Sequence, residues 1–225
     1  MEKSNSIEAG IRWVCSISLD LVWIIDYEIE GGIMEYQMLA LVMLVGFYSI
    51  YAGKLIDQKK KGIQTDHLAK GDKNNTLRKL EFVLIIATYS MVIVEVISIA
   101  LDLYLLNPTI RVLGIILGFI GVIVFGIAVY TMKDSWRAGI PGNEKTTMIT
   151  DGIYSMSRNP AFLGFYLTYI GILLTFFNWV LLVFTIFTII ILHLQILKEE
   201  EYLTMAFGAE YTEYKKHVRR YIGRK

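Results

Sequence analysis

The stretch VLGIILGFIGVIVFGIAVYTM, residues 112–132, runs for 21 positions without a charged side chain. An α-helix rises 1.5 Å per residue, so this run would measure about 31 Å. The hydrocarbon core of a bilayer is about 30 Å thick and needs about 20 apolar residues to cross it. The run is therefore a transmembrane helix, and its neighbours follow the same logic. Upstream, 36–53 is uncharged and closed by Lys54, and 82–101 is equally apolar apart from Glu95. Downstream, 161–192 carries no charge over 32 residues, about 48 Å as one helix. That is too long for one span even with tilt. A break at Asn178 and Trp179, a turn-former beside an interfacial aromatic, divides it into two antiparallel spans. Residues 11–25 are the least regular, with Arg12, Asp20 and Asp26 in or beside the run, and form either a span or an interfacial helix.

Composition agrees. The 225 residues are 55% hydrophobic and 19% charged, with a mean hydropathy of +0.50; an average soluble domain is roughly 25% charged. Disorder is excluded by the apolar content. A single cysteine, Cys15, excludes an internal disulfide framework and a multi-cysteine zinc site. The expected fold is an all-α integral membrane protein of about six transmembrane helices, five if the first is interfacial, with a C-terminal cytoplasmic helix. Residues 1–225 read as one membrane domain. Variable spans occupy 1–110; the core, 111–225, has a loop at 133–160, a helical hairpin at 161–197 and a C-terminal segment from 198.

Six spans divide the basic residues unevenly. The N-terminus, the loops 54–79 and 133–158 and the tail from 198 hold every Lys and Arg of the 22 except Arg111. Positively charged short loops stay cytoplasmic, so these segments are expected on that face. The opposite loop carries Glu28, Glu30 and Glu35 and no base. Acidic residues also stand where a signal-peptide cleavage site would lie, so the mature chain is expected to begin at Met1. The lysines of 54–79 are explained by topology, and no nucleic-acid partner is expected. No internal repeat or inverted pair of broken spans marks a transporter. Gly114 and Gly118, four apart, permit a close helix contact.

Chemistry concentrates in two polar stretches flanking the hairpin, TDGIYSMSRNPAFLG (150–164) and QILKEEEYLTMAFGAEYTEY (195–214). A hairpin returns both to one membrane face. There Arg158, the backbone amides around Gly152 and Pro160, and the carboxylates of Glu199 and Glu200 could hold a small zwitterionic ligand. Glu95, inside a span, is read as structural, protonated or paired within the bundle. His193 is a candidate proton acceptor with a packing alternative. Glu201 is read as solvent-facing.

In order, these stretches spell Gly152-x-Tyr154, Arg158-Asn-Pro-x-Phe162-x-Gly164, an apolar hairpin, then Glu199-Glu200-x-x-Leu203-x-x-x-Phe207-Gly208-x-x-Tyr211-x-x-Tyr214. The pattern resembles the membrane methyltransferases related to isoprenylcysteine carboxyl methyltransferase and phospholipid N-methyltransferase, over about 112–222. Ser135 to Ile140 is similar to a stretch of bacterial members. The resemblance implies an S-adenosylmethionine-dependent enzyme whose acceptor enters from the lipid, with no metal. Carried over, cofactor contacts fall on Thr146, Thr147, Met148, Ile149, Tyr154, Asn159, Pro160, Ala161, Phe162 and Glu199. Arg158, Glu199 and Glu200 form the expected catalytic set.

Two departures from the family pattern matter. Asn159 and Phe162 stand where His and Tyr are frequent, although bacterial relatives share the asparagine. Gln195 occupies the position of an arginine that meets the substrate in carboxyl-methylating members. Gln195, Arg137 and His193 are the expected substrate residues. Arg158 or Arg137 would favour an anionic acceptor, and Glu200 an amine by taking its proton. Carboxylate, thiol and phospholipid amine acceptors stay open, as does a non-enzymatic transporter or accessory protein.

Overall fold

The computed structural model describes residues 34–71, 73–140 and 147–224. The segment 11–25 with Cys15, the acidic positions Glu28 and Glu30, and Thr146 lie outside the described residues. Six α-helices follow in order: α1 (Met34–Lys60), α2 (Asn75–Ala100), α3 (Pro108–Met132), α4 (Pro160–Thr175), α5 (Trp179–Phe207) and α6 (Ala209–His217). No strand is present among the described residues, only two isolated bridges. Helix starts are set by short polar side chains. Asn74 accepts from the Leu77 amide at the start of α2, Asn107 from Thr109 ahead of α3 with Pro108 in its first turn, and Asn178 from Leu181 at the start of α5. Each satisfies an amide that the first turn leaves open.

Among the described residues four helices are long and apolar enough to cross a membrane, Glu35–Lys60, Asn75–Ala100, Pro108–Ser135 and Trp179–Phe207; Pro160–Thr175 is apolar but shorter. The expected all-α membrane fold is therefore present. The break at Asn178 is also present, because α4 ends at Thr175 and Asn178 caps the next helix. Two features differ from the sequence expectation. The first arm of the hairpin has only 16 residues, about 24 Å. The second arm does not end near Leu197: α5 continues to Phe207, so Glu199, Glu200 and Glu201 lie inside a helix and not at the head of a tail. Helical continuity survives the loss of apolarity because Glu, Leu, Lys and Met are all good helix formers. Gly208, with φ +55°, ends the helix.

Helices α3 and α4 meet along a seam of small residues. A Cβ on Gly171 would stand 2.5 Å from the Gly118 Cα and N, and one on Gly121 2.5 Å from the Thr168 amide. On Gly114 it would meet the Gly171 carbonyl at 2.6 Å. Helix association within lipid rests on such packing, since apolar side chains gain nothing by leaving lipid. The Gly114/Gly118 pair thus has the close-contact role its spacing predicts. At one end of this seam Arg111 is buried, paired with Asp102 and set over the rings of Tyr36 and Tyr104 at 4.2 and 4.0 Å. The base that stands apart from the positive face is therefore a packing element. The polar loops gather at the other end of the bundle.

Substituting Gly171 by Leu is expected to cost at least about 1–3 kcal/mol through overpacking. Gly53→Ala, where a Cβ meets nothing within 4 Å, should change stability by no more than about 0.5–1 kcal/mol. Thermal unfolding of both variants in detergent checks the contrast.

Candidate functional site

One stripe from each of four helices faces a common cavity of about 550 Å³. Tyr48, Tyr51, Ala52 and Leu55 come from α1, and Ile85, Thr88, Tyr89 and Val92 from α2. Helix α4 supplies Ala161, Phe162, Phe165 and Tyr169, and α5 supplies Leu192, Gln195, Glu199 and Leu203. The three- and four-residue steps are those that keep side chains on one helix face. Residues 135–140 and 147–149, with Tyr154, Tyr211 and Tyr214, cover the polar end.

That cover is fastened by its backbone. The His67 amide donates to Ala138 O at 2.8 Å, and the Ala138 amide to Thr65 O at 2.9 Å, zipping the α1–α2 loop to the segment after α3. Gln58 Nε2 donates to Trp136 O at 3.1 Å. Beneath the loop Glu81 is fully buried and accepts from Lys73 Nζ at 2.7 Å and from the Ala69 amide at 2.8 Å. Gly139, at φ +82°, permits the close approach, since a Cβ there would meet Leu68 Cδ2 at 2.9 Å.

A second network closes the other side. Glu200 accepts from Arg158 Nη2 at 3.0 Å, from Asn159 Nδ2 at 3.0 Å and from Arg220 Nη2 at 2.9 Å. Arg158 also donates to the carbonyls of Lys215 and Val218. The tail then turns back, with Arg158 N donating to Arg219 O at 3.1 Å and Gly223 N to Met156 O at 2.7 Å. Tyr214 donates its hydroxyl to the Tyr154 carbonyl. Burial pushes the Tyr154, Tyr211 and Tyr214 hydroxyls well above the usual phenol range, so all three remain protonated donors.

These contacts sort the expected residues. Thr147, Met148, Ile149, Tyr154, Arg158, Asn159, Ala161, Phe162, Gln195, Arg137 and Glu199 all line the cavity. Pro160, Glu200 and His193 do not. Proline at the first position of α4 brings no N–H and is buried. Glu200 was expected to face a ligand or take its proton, but both guanidinium groups and the Asn159 amide use its oxygens. Adjacent helix residues point about 100° apart, so Glu199 turns to the cavity while Glu200 turns to the tail. For the same reason His193, two residues from Gln195, points away and bonds to the Tyr221 hydroxyl. Arg158 lines the cavity with its guanidinium already committed. Glu201 is exposed and paired with Lys198. Gln195 is 1% exposed; its Nε2 donates to Glu199 Oε1 at 3.0 Å and its Oε1 has no partner.

Sequence reasoning missed the walls from α1 and α2 and the Glu81–Lys73 pair beneath the cover. The three-to-four-residue recurrence of Tyr48, Tyr51, Ala52 and Leu55 was the available signal, but it marks a buried face without saying against what. Among the described residues no group of His, Cys, Asp and Glu could hold a metal.

A helical bundle with membrane-length apolar helices and a cavity covered at its polar end defines an integral membrane protein with an internal cavity. Residues 112–205 match the isoprenylcysteine carboxyl methyltransferase (ICMT) family, so the chain is ICMT-like over α3, α4 and most of α5. The protein-S-isoprenylcysteine O-methyltransferase of Saccharomyces cerevisiae is 36% identical over 110 residues, 48% of this chain and 46% of that protein. Its Schizosaccharomyces pombe counterpart is 34% identical over 77 residues, 34% of this chain and 33% of that protein. The matches span less than half the length of these relatives.

Removing Glu200 leaves two guanidinium groups facing each other without their carboxylate. Glu200→Ala is expected to cost about 3–5 kcal/mol and to free the tail backbone for tryptic cleavage after Lys215, Lys216, Arg219 and Arg220. Glu199→Gln should leave the tail protected, and limited proteolysis followed by mass spectrometry distinguishes the two.

Proposed function

We propose that this protein is an S-adenosylmethionine-dependent membrane methyltransferase, ICMT-like, acting on a lipophilic or small acceptor that carries a carboxylate, thiol or amine. One observation carries the reading: the cavity joins the N-terminus of α4 and Glu199 at its polar end to an apolar shaft between helices, within the region matching the family. A volume of about 550 Å³ falls within the roughly 300–1,000 Å³ of small-molecule sites.

The residues present fit the cofactor. The first-turn amides of α4, at Ala161 and Phe162, have no partner within the helix, and no side chain caps them; such a terminus suits a carboxylate. Glu199 offers an acceptor for hydroxyl or ammonium groups. Phe162, Leu203, Phe207 and Trp136 give apolar surface for a base. When bound, the cofactor supplies an electrophilic methyl group on a sulfonium. The chain's part is alignment and exclusion of water, because charge is mainly neutralised as the methyl moves. The covering loops exclude solvent, Gln195 holds Glu199 in place, and the Arg158–Glu200 clamp positions Asn159 and the start of α4. In this reading Arg158 and Glu200 are positioning residues. Thr146 is carried as a cofactor contact by the family resemblance alone, and the polar end faces the cytoplasm, as the distribution of Lys and Arg favours. No metal is required.

Phospholipid N-methylation is the second reading, favoured by Gln195 Oε1. An unpartnered carbonyl in the cavity wall accepts a hydrogen bond from an amine and repels a carboxylate.

S-adenosylhomocysteine is expected to bind the purified protein in detergent with a micromolar dissociation constant, with adenosine weaker, as measured by calorimetry. Glu199→Gln should weaken that binding about tenfold or more, the scale of one hydrogen bond to a charged group. No binding up to millimolar by folded protein would replace this reading with a transporter or accessory role. Turnover of a prenylcysteine analogue, a thiol and an ethanolamine lipid then assigns the acceptor.

A further inference from the structure

Away from the cover, a second polar cluster adjoins the cavity, with Tyr48 and Tyr169 in the cavity wall and Glu95 outside the lining. On α2 the residues Ile85, Thr88 and Val92 face the cavity at steps of three and four, and Glu95 follows three residues later on the same stripe. Glu95 is completely buried and neither of its carboxylate oxygens has a hydrogen-bond partner. Tyr48 from α1 and Tyr169 from α4 line the cavity here, and their buried hydroxyls have no partner other than each other. The two tyrosines lie beside each other, and the Glu95 carboxyl is near enough to act electrostatically on both. Glu95 is 14 residues along α2 from Glu81, which anchors the cover, so it sits about 21 Å deeper in the bundle.

A tyrosine pair and an unpartnered carboxyl, from three different helices, gather beside an otherwise apolar shaft. A carboxylate alone in such surroundings is strongly disfavoured unless a proton or a cation meets it. Among the described residues no Lys or Arg pairs with Glu95; Arg158 and Arg220 are held by Glu200 at the far end. A carboxylate flanked by aromatic rings attracts an ammonium group by charge and by the ring faces, and offers nothing to a phosphate or carboxylate. We propose that Tyr48, Tyr169 and Glu95 form a subsite at the cavity wall, away from the cover, that binds the protonated amine of a lipophilic molecule, whose apolar part lies along Val92, Phe165 and Leu192. The subsite is separate from the cofactor end at Glu199 and does not depend on the methyl-transfer reading.

The test uses the full-length chain in phosphatidylcholine nanodiscs, without cofactor, and compares dodecylamine with dodecanoic acid and dodecanol against empty nanodiscs. The amine is expected to bind at least about tenfold tighter than the acid, with the alcohol between them. Dodecylamine should also change the infrared carbonyl band of a buried protonated carboxyl. Glu95→Gln, nearly isosteric, should abolish both the preference and the band change while keeping helical content. Tyr48→Phe combined with Tyr169→Phe should weaken amine binding several-fold and serves if Glu95→Gln does not fold. Equal affinities for amine and acid, or a preference that survives Glu95→Gln, would overturn the proposal. No amine preference in the wild-type chain, alongside intact S-adenosylhomocysteine binding, would sink this subsite and leave the methyltransferase reading standing.

Discussion

Glu200 is a carboxylate withdrawn from water between two guanidinium groups, and the geometry of the polar end depends on it. Its oxygens tie together the segment ahead of α4, through Arg158 and Asn159, and the returning tail, through Arg220. Withdrawing these charges from solvent is costly, so a single bridge would be a poor fastener. Here the carboxylate receives hydrogen bonds from three side chains, and Arg158 spends its remaining donors on tail carbonyls. The network therefore specifies one arrangement of three segments that are far apart in sequence.

That arrangement gives neighbouring residues different roles. On a helix, Glu199 and Glu200 cannot face the same way, so fixing one against the tail presents the other to the cavity. The second constraint is the α3–α4 seam, where glycines bring two backbones together and set the start of α4 against the end of α3. The cover is built on the same end, from loops that pack Trp136 and Ala138 into an apolar cluster with Phe47 and Phe125. It is held by backbone hydrogen bonds and by Glu81, which reaches both the α1–α2 loop and Ile140. The cavity wall thus comes from helices, while its cover comes from loops fastened at buried polar points.

Much of the cavity was legible from the motifs. Asn159, Phe162, Gln195 and Glu199 meet at one site because a hairpin must return its ends to one face, which is a topological consequence of two apolar runs with a break between them. The roles within the motif were less legible. Arg158 and Glu200 look like free charges in the sequence, and only their mutual distance makes them a clamp. His193 and Gln195 look adjacent, yet a step of two residues on a helix sends them to opposite sides. Glu95 was read as a structural group because an isolated acid in a span does not reveal its neighbours, which here come from helices about 45 and 75 residues away in the chain.

By itself, the sequence determined the helical membrane architecture, the break at Asn178, the close contact at Gly114 and Gly118, and the family-like residues of the polar end. Each of these depends on local spacing or on the cost of placing charge in hydrocarbon, quantities that a linear pattern contains. The tertiary structure alone decided that α1 and α2 complete the cavity, that Glu200 belongs to the tail while Glu199 belongs to the site, and that Tyr48, Tyr169 and Glu95 meet. Those outcomes depend on how helix faces are rotated against one another. Rotation is set by packing and by pairing across distant segments, which residue order does not encode locally.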